Sequence, residues 1–113
     1  MTHAQLLVIP LPATTHEALA PALGPLLRDG QVVFLPPGTF GSYLFARAQK
    51  DAGNPARVAY AETGTLPYLA RKHGNRVVIS GYATRLPMVE INSSFYRLHV
   101  AGTYARWAAS VLL

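Results

Sequence analysis

Two segments carry the residue types that could do chemistry. The first is Leu35-Pro36-Pro37-Gly38-Thr39-Phe40-Gly41 and the second is Ala61-Glu62-Thr63-Gly64-Thr65-Leu66-Pro67-Tyr68. Each directly follows an apolar, strand-like stretch and turns the backbone at that strand's carboxyl end, where open α/β sheets bind their ligands. Gly38 and Gly41 lack a Cβ, so the backbone around Thr39 can approach a ligand closely. The same glycines also suit a tight turn that needs positive φ. Glu62 ends a strand that should be buried, and an unpaired carboxylate there is costly. It must be solvated at the strand end, hydrogen-bonded to a ligand, or paired with Arg71 or Arg85. Thr63, Thr65, Tyr68 and Arg71 follow Glu62 in or just beyond the same segment. Arg71 is the natural carboxylate clamp, since guanidinium grips carboxylate in a two-pronged fork. A lone arginine is otherwise a surface residue.

A third, smaller constellation lies upstream. Pro12 and Ala13 end the first apolar run in a small, rigid turn, again at a strand's carboxyl end. His16 can donate a hydrogen bond to a ligand or serve only the start of a helix. His73 and His99 have no acidic partner within local reach, so neither reads as a catalytic base, which needs an orienting group. The four histidines show no metal-ligand spacing. The chain has no cysteine, which removes disulfide and thiolate chemistry and agrees with a reducing cytosol.

The elements that must position these residues follow from apolar patterning. Gln5-Leu6-Leu7-Val8-Ile9-Pro10 is a continuous apolar run of strand length, as expected of a parallel strand covered on both faces. A turn follows, with Thr14 or Thr15 as helix cap and Glu17 in the first turn. Leu19, Leu23, Leu26 and Leu27 build one apolar helix face. Pro21 and Pro25 interrupt it, which predicts a kink or two short pieces, and Asp29-Gly30 ends it. Residues 31–35 form the second strand. Residues 40–52 form the second helix, with Leu44, Phe45 and Ala48 inward, stopped by Gly53-Asn54-Pro55. Residues 57–61 form the third strand. The order β-α-β-α-β predicts parallel strands joined by right-handed crossover helices. Residues 67–72 read as one helical turn. Residues 76–81 and 85–91 read as an antiparallel hairpin, with Pro87 marking the second as an edge strand. The fold class is therefore α/β, the second half of a Rossmann-type sheet: three parallel strands with crossover helices plus a C-terminal antiparallel strand pair. Residues 1–91 form that unit. Residues 92–113 form a divergent tail, in which Tyr96, Val100, Tyr104, Trp107 and Val111 can stripe a helix that Gly102 interrupts.

Bulk properties set outer bounds. With 113 residues, the chain is one small domain. Half of its residues are apolar and 13% are charged, the composition of a globular chain rather than a disordered one. Its apolar runs are far shorter than the ~20 residues that span a bilayer, and no signal peptide is evident. The formal net charge of +5 is spread over ten dispersed Lys and Arg residues. That is not the clustered footprint of a nucleic-acid binder, and a basic surface or affinity for a phosphate-bearing cofactor explains it more simply. The reading is a cytoplasmic protein with no nucleic-acid or membrane partner.

At these motifs the chain resembles the NAD(P)-dependent opine dehydrogenases, the octopine and nopaline dehydrogenase family. The matching stretches are Pro12-Ala13-Thr14-Thr15-His16-Glu17, Leu27-Arg28-Asp29-Gly30-Gln31-Val32-Val33, Pro37-Gly38-Thr39-Phe40-Gly41 and Ala61-Glu62-Thr63-Gly64-Thr65-Leu66-Pro67-Tyr68-Leu69-Ala70-Arg71. The run around Glu62 favours this family over the ketopantoate reductases and glycerol-3-phosphate dehydrogenases, which share the sheet. The resemblance implies an oxidoreductase that condenses an amino acid with a 2-oxo acid, by hydride transfer from NADH or NADPH to an imine. It implies cofactor contacts from Pro12, Ala13, His16, Gly38, Thr39, Gly41 and Glu62, and substrate contacts from Thr63, Thr65, Tyr68 and Arg71. No catalytic residue falls within the chain. The family's G-x-G-x-x-G turn has no counterpart in it, and the helical domain that supplies the family's His and Asp is expected downstream. The 113 residues alone are therefore expected to be inactive and marginally stable. A rival reading from another class is a non-catalytic α/β interaction module that self-associates through the sheet edge left open at its first strand.

Overall fold

A computed structural model describes residues 4–91 of the chain. The expected β-α-β-α-β order is present. Strand β1 (Leu6–Val8), helix α1 (Ala13–Leu23), strand β2 (Val32–Leu35), helix α2 (Gly41–Asp51) and strand β3 (Ala59–Thr63) follow one another. β1 pairs with β2 and β2 with β3, both parallel. The register sets Leu6, Val32 and Ala59 side by side at one end, and Leu35 beside Glu62 at the other. This is a partial Rossmann-type fold.

The two helices pack against each other and share one apolar core with the sheet. That core joins Ala20 and Leu23 of α1 and Phe45 of α2 to Val33, Leu35 and Tyr60 of the strands. The alternate strand positions Val32, Phe34, Ala59 and Ala61 are buried as well. β2 and β3 are thus buried along their whole length, as continuous apolar runs in parallel sheets require. β1 departs from this. It is the outermost strand of its sheet, and Leu6 and Val8 are exposed.

Local chemistry adjusts the helices. α1 runs through Pro21 at the loss of one backbone bond, then tightens into a 3-10 turn at Gly24–Leu26 that carries Pro25. The expected division into two pieces is therefore present. Leu26 points outward in that turn while Leu23 and Leu27 are buried, because a 3-10 turn advances the chain by a different angle from an α-helix. The cap is neither Thr14 nor Thr15. Pro12 occupies the cap position, and the Thr15 hydroxyl donates back to its carbonyl at 2.7 Å. Leu44 of α2 is exposed, whereas Phe45 is fully buried.

A polar network fastens α2 to its surroundings. The Tyr60 hydroxyl donates to Gln49 Oε1, and Gln49 Nε2 donates to the carbonyls of Asn54 and Ala56. Asn54 Nδ2 donates in turn to the carbonyls of Gly24 and Leu27. The buried polar atoms of Gln49 and Tyr60 are thereby satisfied, as burial demands. Gly24 sits where α2 crosses: a Cβ there would come within 2.8 Å of the Ala48 carbonyl carbon and the Gln49 nitrogen.

Beyond β3 the chain differs from the expected hairpin. Residues 67–72 form no helical turn. Tyr68–His73 is strand β4, and it pairs antiparallel with β5 (Arg76–Tyr82) in a separate two-stranded sheet. Gly74 and Asn75 make the turn between them, with Gly74 at φ 60°, a two-residue connection of the kind that closes tight hairpins. The register shifts at Leu69/Ala70, leaving Ser80 as the extra residue of a bulge. β6 (Met88–Ile91) returns to the main sheet and pairs antiparallel with β3, completing the order β1-β2-β3-β6. The segment after Pro87 is thus an edge strand, but its partner is β3 rather than residues 76–81. The readings of residues 92–113 as a separate, helical tail lie outside the described residues. Among the described residues, no helix is long and apolar enough to cross a membrane.

Candidate functional site

The carboxyl ends of β1, β2 and β3 all point to one end of the parallel sheet, where three connections meet. The central one is the loop from Pro36 to Gly41. Its Pro36–Pro37 peptide is cis, and Thr39 and Phe40 both have positive φ, at 49° and 64°. Left-handed backbone is unusual for residues with side chains and marks a locally over-determined segment.

Glu62 is what over-determines it. The residue is 9% exposed at the end of β3. Its Oε1 accepts the N–H of Phe40 at 3.0 Å and its Oε2 accepts the N–H of Ser42 at 2.8 Å. Phe40 is the cap residue of α2, so the carboxylate seals the helix from the neighbouring strand. A negative group is favourable there because the first N–H groups of a helix are unsatisfied and its dipole is positive at that end. The sequence reading offered three fates for this carboxylate, namely solvent, ligand or arginine. The hydrogen bonds present are to backbone, a fourth. Two further bonds hold the loop: the Gly38 N–H donates to the Thr63 carbonyl at 3.1 Å, and the Gly41 N–H to the Gly38 carbonyl at 2.8 Å. Gly38 lies so close to the Glu62 side chain that a Cβ would collide with it.

His16 reaches the same place from α1. It is fully buried, its ring packs edge-on against Phe45 with centroids 6.0 Å apart, and Gly41 has no room for a Cβ because His16 Nδ1 and Leu35 occupy that space. Neither ring nitrogen has a hydrogen-bond partner among the described residues. A buried donor or acceptor without a partner costs about 1–3 kcal/mol, so this position carries a polar group that packing alone does not explain.

The structure therefore brings His16, Gly38, Thr39, Gly41, Glu62 and Thr63 into one cluster. Pro12 and Ala13 sit at the exposed start of α1, which no side chain caps and whose first turn holds no acid. The Thr63 hydroxyl is turned to the Thr65 carbonyl at 2.8 Å, so these two shape a turn together. Tyr68 and Arg71 belong to the β4–β5 ribbon. In a strand, residues three apart face opposite sides, and Tyr68 is half-buried while Arg71 is exposed with its Nη1 on the Ala70 carbonyl. They do not converge as they would on one helical turn. The sequence reading missed Phe40 and Ser42 as members of this cluster. Their part is played by backbone N–H groups, which leave no trace in residue type.

Of three comparisons with known proteins, the one with solved structures finds the same fold. The protein family model DUF72, a protein of unknown function, matches residues 60–112. Comparison with curated proteins gives no match. Among solved structures, octopine dehydrogenase with NADH and L-arginine aligns with a TM-score of 0.65 at 22% identity, covering 79% of this chain. Octopine dehydrogenase in complex with NADH and agmatine aligns with the same TM-score and identity. In each case this chain spans 22% of the length of the other. The likeness is one of fold.

Proposed function

We propose that this chain is the nicotinamide-side part of a dinucleotide-binding domain in an opine dehydrogenase-type oxidoreductase. The observation that carries the reading is the meeting of Gly38, Thr39, Glu62 and His16 at the carboxyl ends of adjacent parallel strands, the place where such sheets hold dinucleotides. Likeness of fold to octopine dehydrogenase, a protein crystallised with NADH, supports it.

The residues fit the group in a particular way. The start of α2 is already filled by the Glu62 carboxylate, so it repels rather than accepts phosphate. The start of α1 is uncapped and free of acid, which suits an anionic phosphate. The Glu62 oxygens each retain a lone pair beyond the backbone bond they accept, which suits a ribose hydroxyl. Beneath the same loop, His16 holds two nitrogens without a partner among the described residues. Pro12 and Ala13 would then face the phosphates, while Gly38, Thr39, Gly41 and Glu62 would face the ribose and nicotinamide. Thr63 and Thr65 would border the imine of the amino acid and 2-oxo acid. When bound, NADH or NADPH supplies the hydride. This chain's part is to orient the ring and exclude water.

The test is calorimetric titration of the purified chain with NADH, with reduced nicotinamide mononucleotide and with AMP. The mononucleotide is expected to retain most of the NADH affinity and AMP little of it, with Gly38→Val abolishing both interactions. Absence of NADH binding at millimolar concentration, or AMP binding as well as the nicotinamide half, refutes the proposal.

A further inference from the structure

We infer that Phe40 is the platform on which the flat nicotinamide ring of the ligand stacks. The inference rests on the dinucleotide reading above and assigns a residue that reading lacks. Phe40 is 78% exposed, more than any other large apolar side chain among the described residues. It also stands at φ 64°, in the left-handed region that bulky side chains avoid. Exposed apolar surface and backbone strain are both unfavourable, and here they fall on one residue. Folding alone favours a different residue. Glycine would make the same N–H bond to Glu62 without strain and without exposing a ring.

The backbone on either side is held in place. The Phe40 N–H is anchored to Glu62 Oε1 at 3.0 Å, the Ser42 N–H to Oε2 at 2.8 Å, and the Gly41 N–H to the Gly38 carbonyl. A buried acid thus fixes the main chain on which an exposed aromatic is presented at the ligand-binding end of the sheet. What phenylalanine adds there is a π-face. Such a face recognises a planar ring rather than a phosphate, and it adds about tenfold or more to the affinity for a ring.

The experiment compares two ligands that differ only in the ring, reduced nicotinamide mononucleotide and ribose 5-phosphate, on the 113-residue chain and on Phe40→Gly and Phe40→Tyr. The wild-type chain is expected to prefer the mononucleotide by about tenfold. Phe40→Gly is expected to abolish that preference, leave ribose 5-phosphate affinity unchanged, and raise Tm by about 4 °C or more as strain is relieved. Phe40→Tyr is expected to keep the preference. Retention of the preference in Phe40→Gly, its loss in Phe40→Tyr, or a lowered Tm in Phe40→Gly overturns the assignment while the dinucleotide reading stands. A wild-type chain that binds neither ligand refutes the dinucleotide reading and this inference with it.

Discussion

Removing the Glu62 carboxylate tests how the site is built. The side chain is 9% exposed and accepts two backbone N–H groups from the start of α2. Hydrogen bonds to a charged group contribute about 1.5–3 kcal/mol each. The Phe40 N–H is on an exposed residue and can turn to water, whereas Ser42 is buried and its N–H would be left unpaired. One bond is therefore largely recovered by solvent and the other is lost in full. Glu62→Ala is expected to destabilise the chain by about 3 kcal/mol. Glu62→Gln keeps one accepting oxygen but turns an NH2 group toward the other N–H, and should cost about 2 kcal/mol. Against a total of about 5–15 kcal/mol for a small domain, either loss is readily measured. Urea denaturation followed by circular dichroism gives the midpoint, and a constant m-value shows that the change is one of stability. Amide exchange adds a local readout: the Phe40 and Ser42 amides should lose protection in Glu62→Gln while the core of β2 does not. A loss below about 0.5 kcal/mol in both variants, typical of an ordinary surface substitution, would mean that the carboxylate does not hold the loop.

Three other predictions follow from the same structure. Gly24→Ala places a methyl within 2.8 Å of the α2 backbone, so the helices must separate, and thermal melting should show a loss of about 2 kcal/mol. Burial pushes the Tyr60 hydroxyl well above its ordinary value of 10.0. The unfolded chain therefore releases this proton first as pH rises, so the native state binds more protons above about pH 10 and stability must fall there, by up to about 1.4 kcal/mol per pH unit. Tyr60→Phe should remove that alkaline slope, at a cost of about 1–2 kcal/mol near neutrality for leaving Gln49 Oε1 without its donor; an unchanged slope contradicts the assignment. NADH and NADPH should bind within about twofold of each other, since the extra phosphate of NADPH lies on the adenosine half, which dinucleotide folds read with the other half-domain. A preference above tenfold contradicts the assignment of this chain to the nicotinamide side.

How far the sequence could be read depended on which interactions leave a mark on residue type. Strands β2 and β3 were legible because Val32, Val33, Phe34 and Leu35, and likewise Ala59, Tyr60 and Ala61, are unbroken apolar runs, which double-sided burial favours, whereas β1 carries such a run without that burial. The glycines around Thr39 and the acid at Glu62 marked strand ends correctly. The partners of Glu62 were not legible, because it bonds to backbone N–H groups that every residue except proline possesses. The left-handed turn at Thr39 and Phe40 was invisible for a related reason: neither residue prefers that conformation, and it is imposed by Glu62 across the sheet. The pairing of β4 with β5 rests on the turn at Gly74-Asn75, which the sequence reading did not use; it took residues 82–84 as the hairpin connection between the apolar runs on either side. With that turn assigned, Tyr68–His73 becomes a strand, and the convergence of Tyr68 with Arg71 disappears.

The central claim is that the loop after β2 and the end of β3 form a nicotinamide site. It is tested most directly by mapping backbone amide shifts as NADH is added to the labelled chain. The account predicts shifts concentrated at residues 12–16, 38–42 and 62–65, the connections at the carboxyl end of the sheet. Shifts centred instead on the groove between the helices, at Glu17, Leu44 and Arg47, or no shifts at saturating NADH, would contradict it.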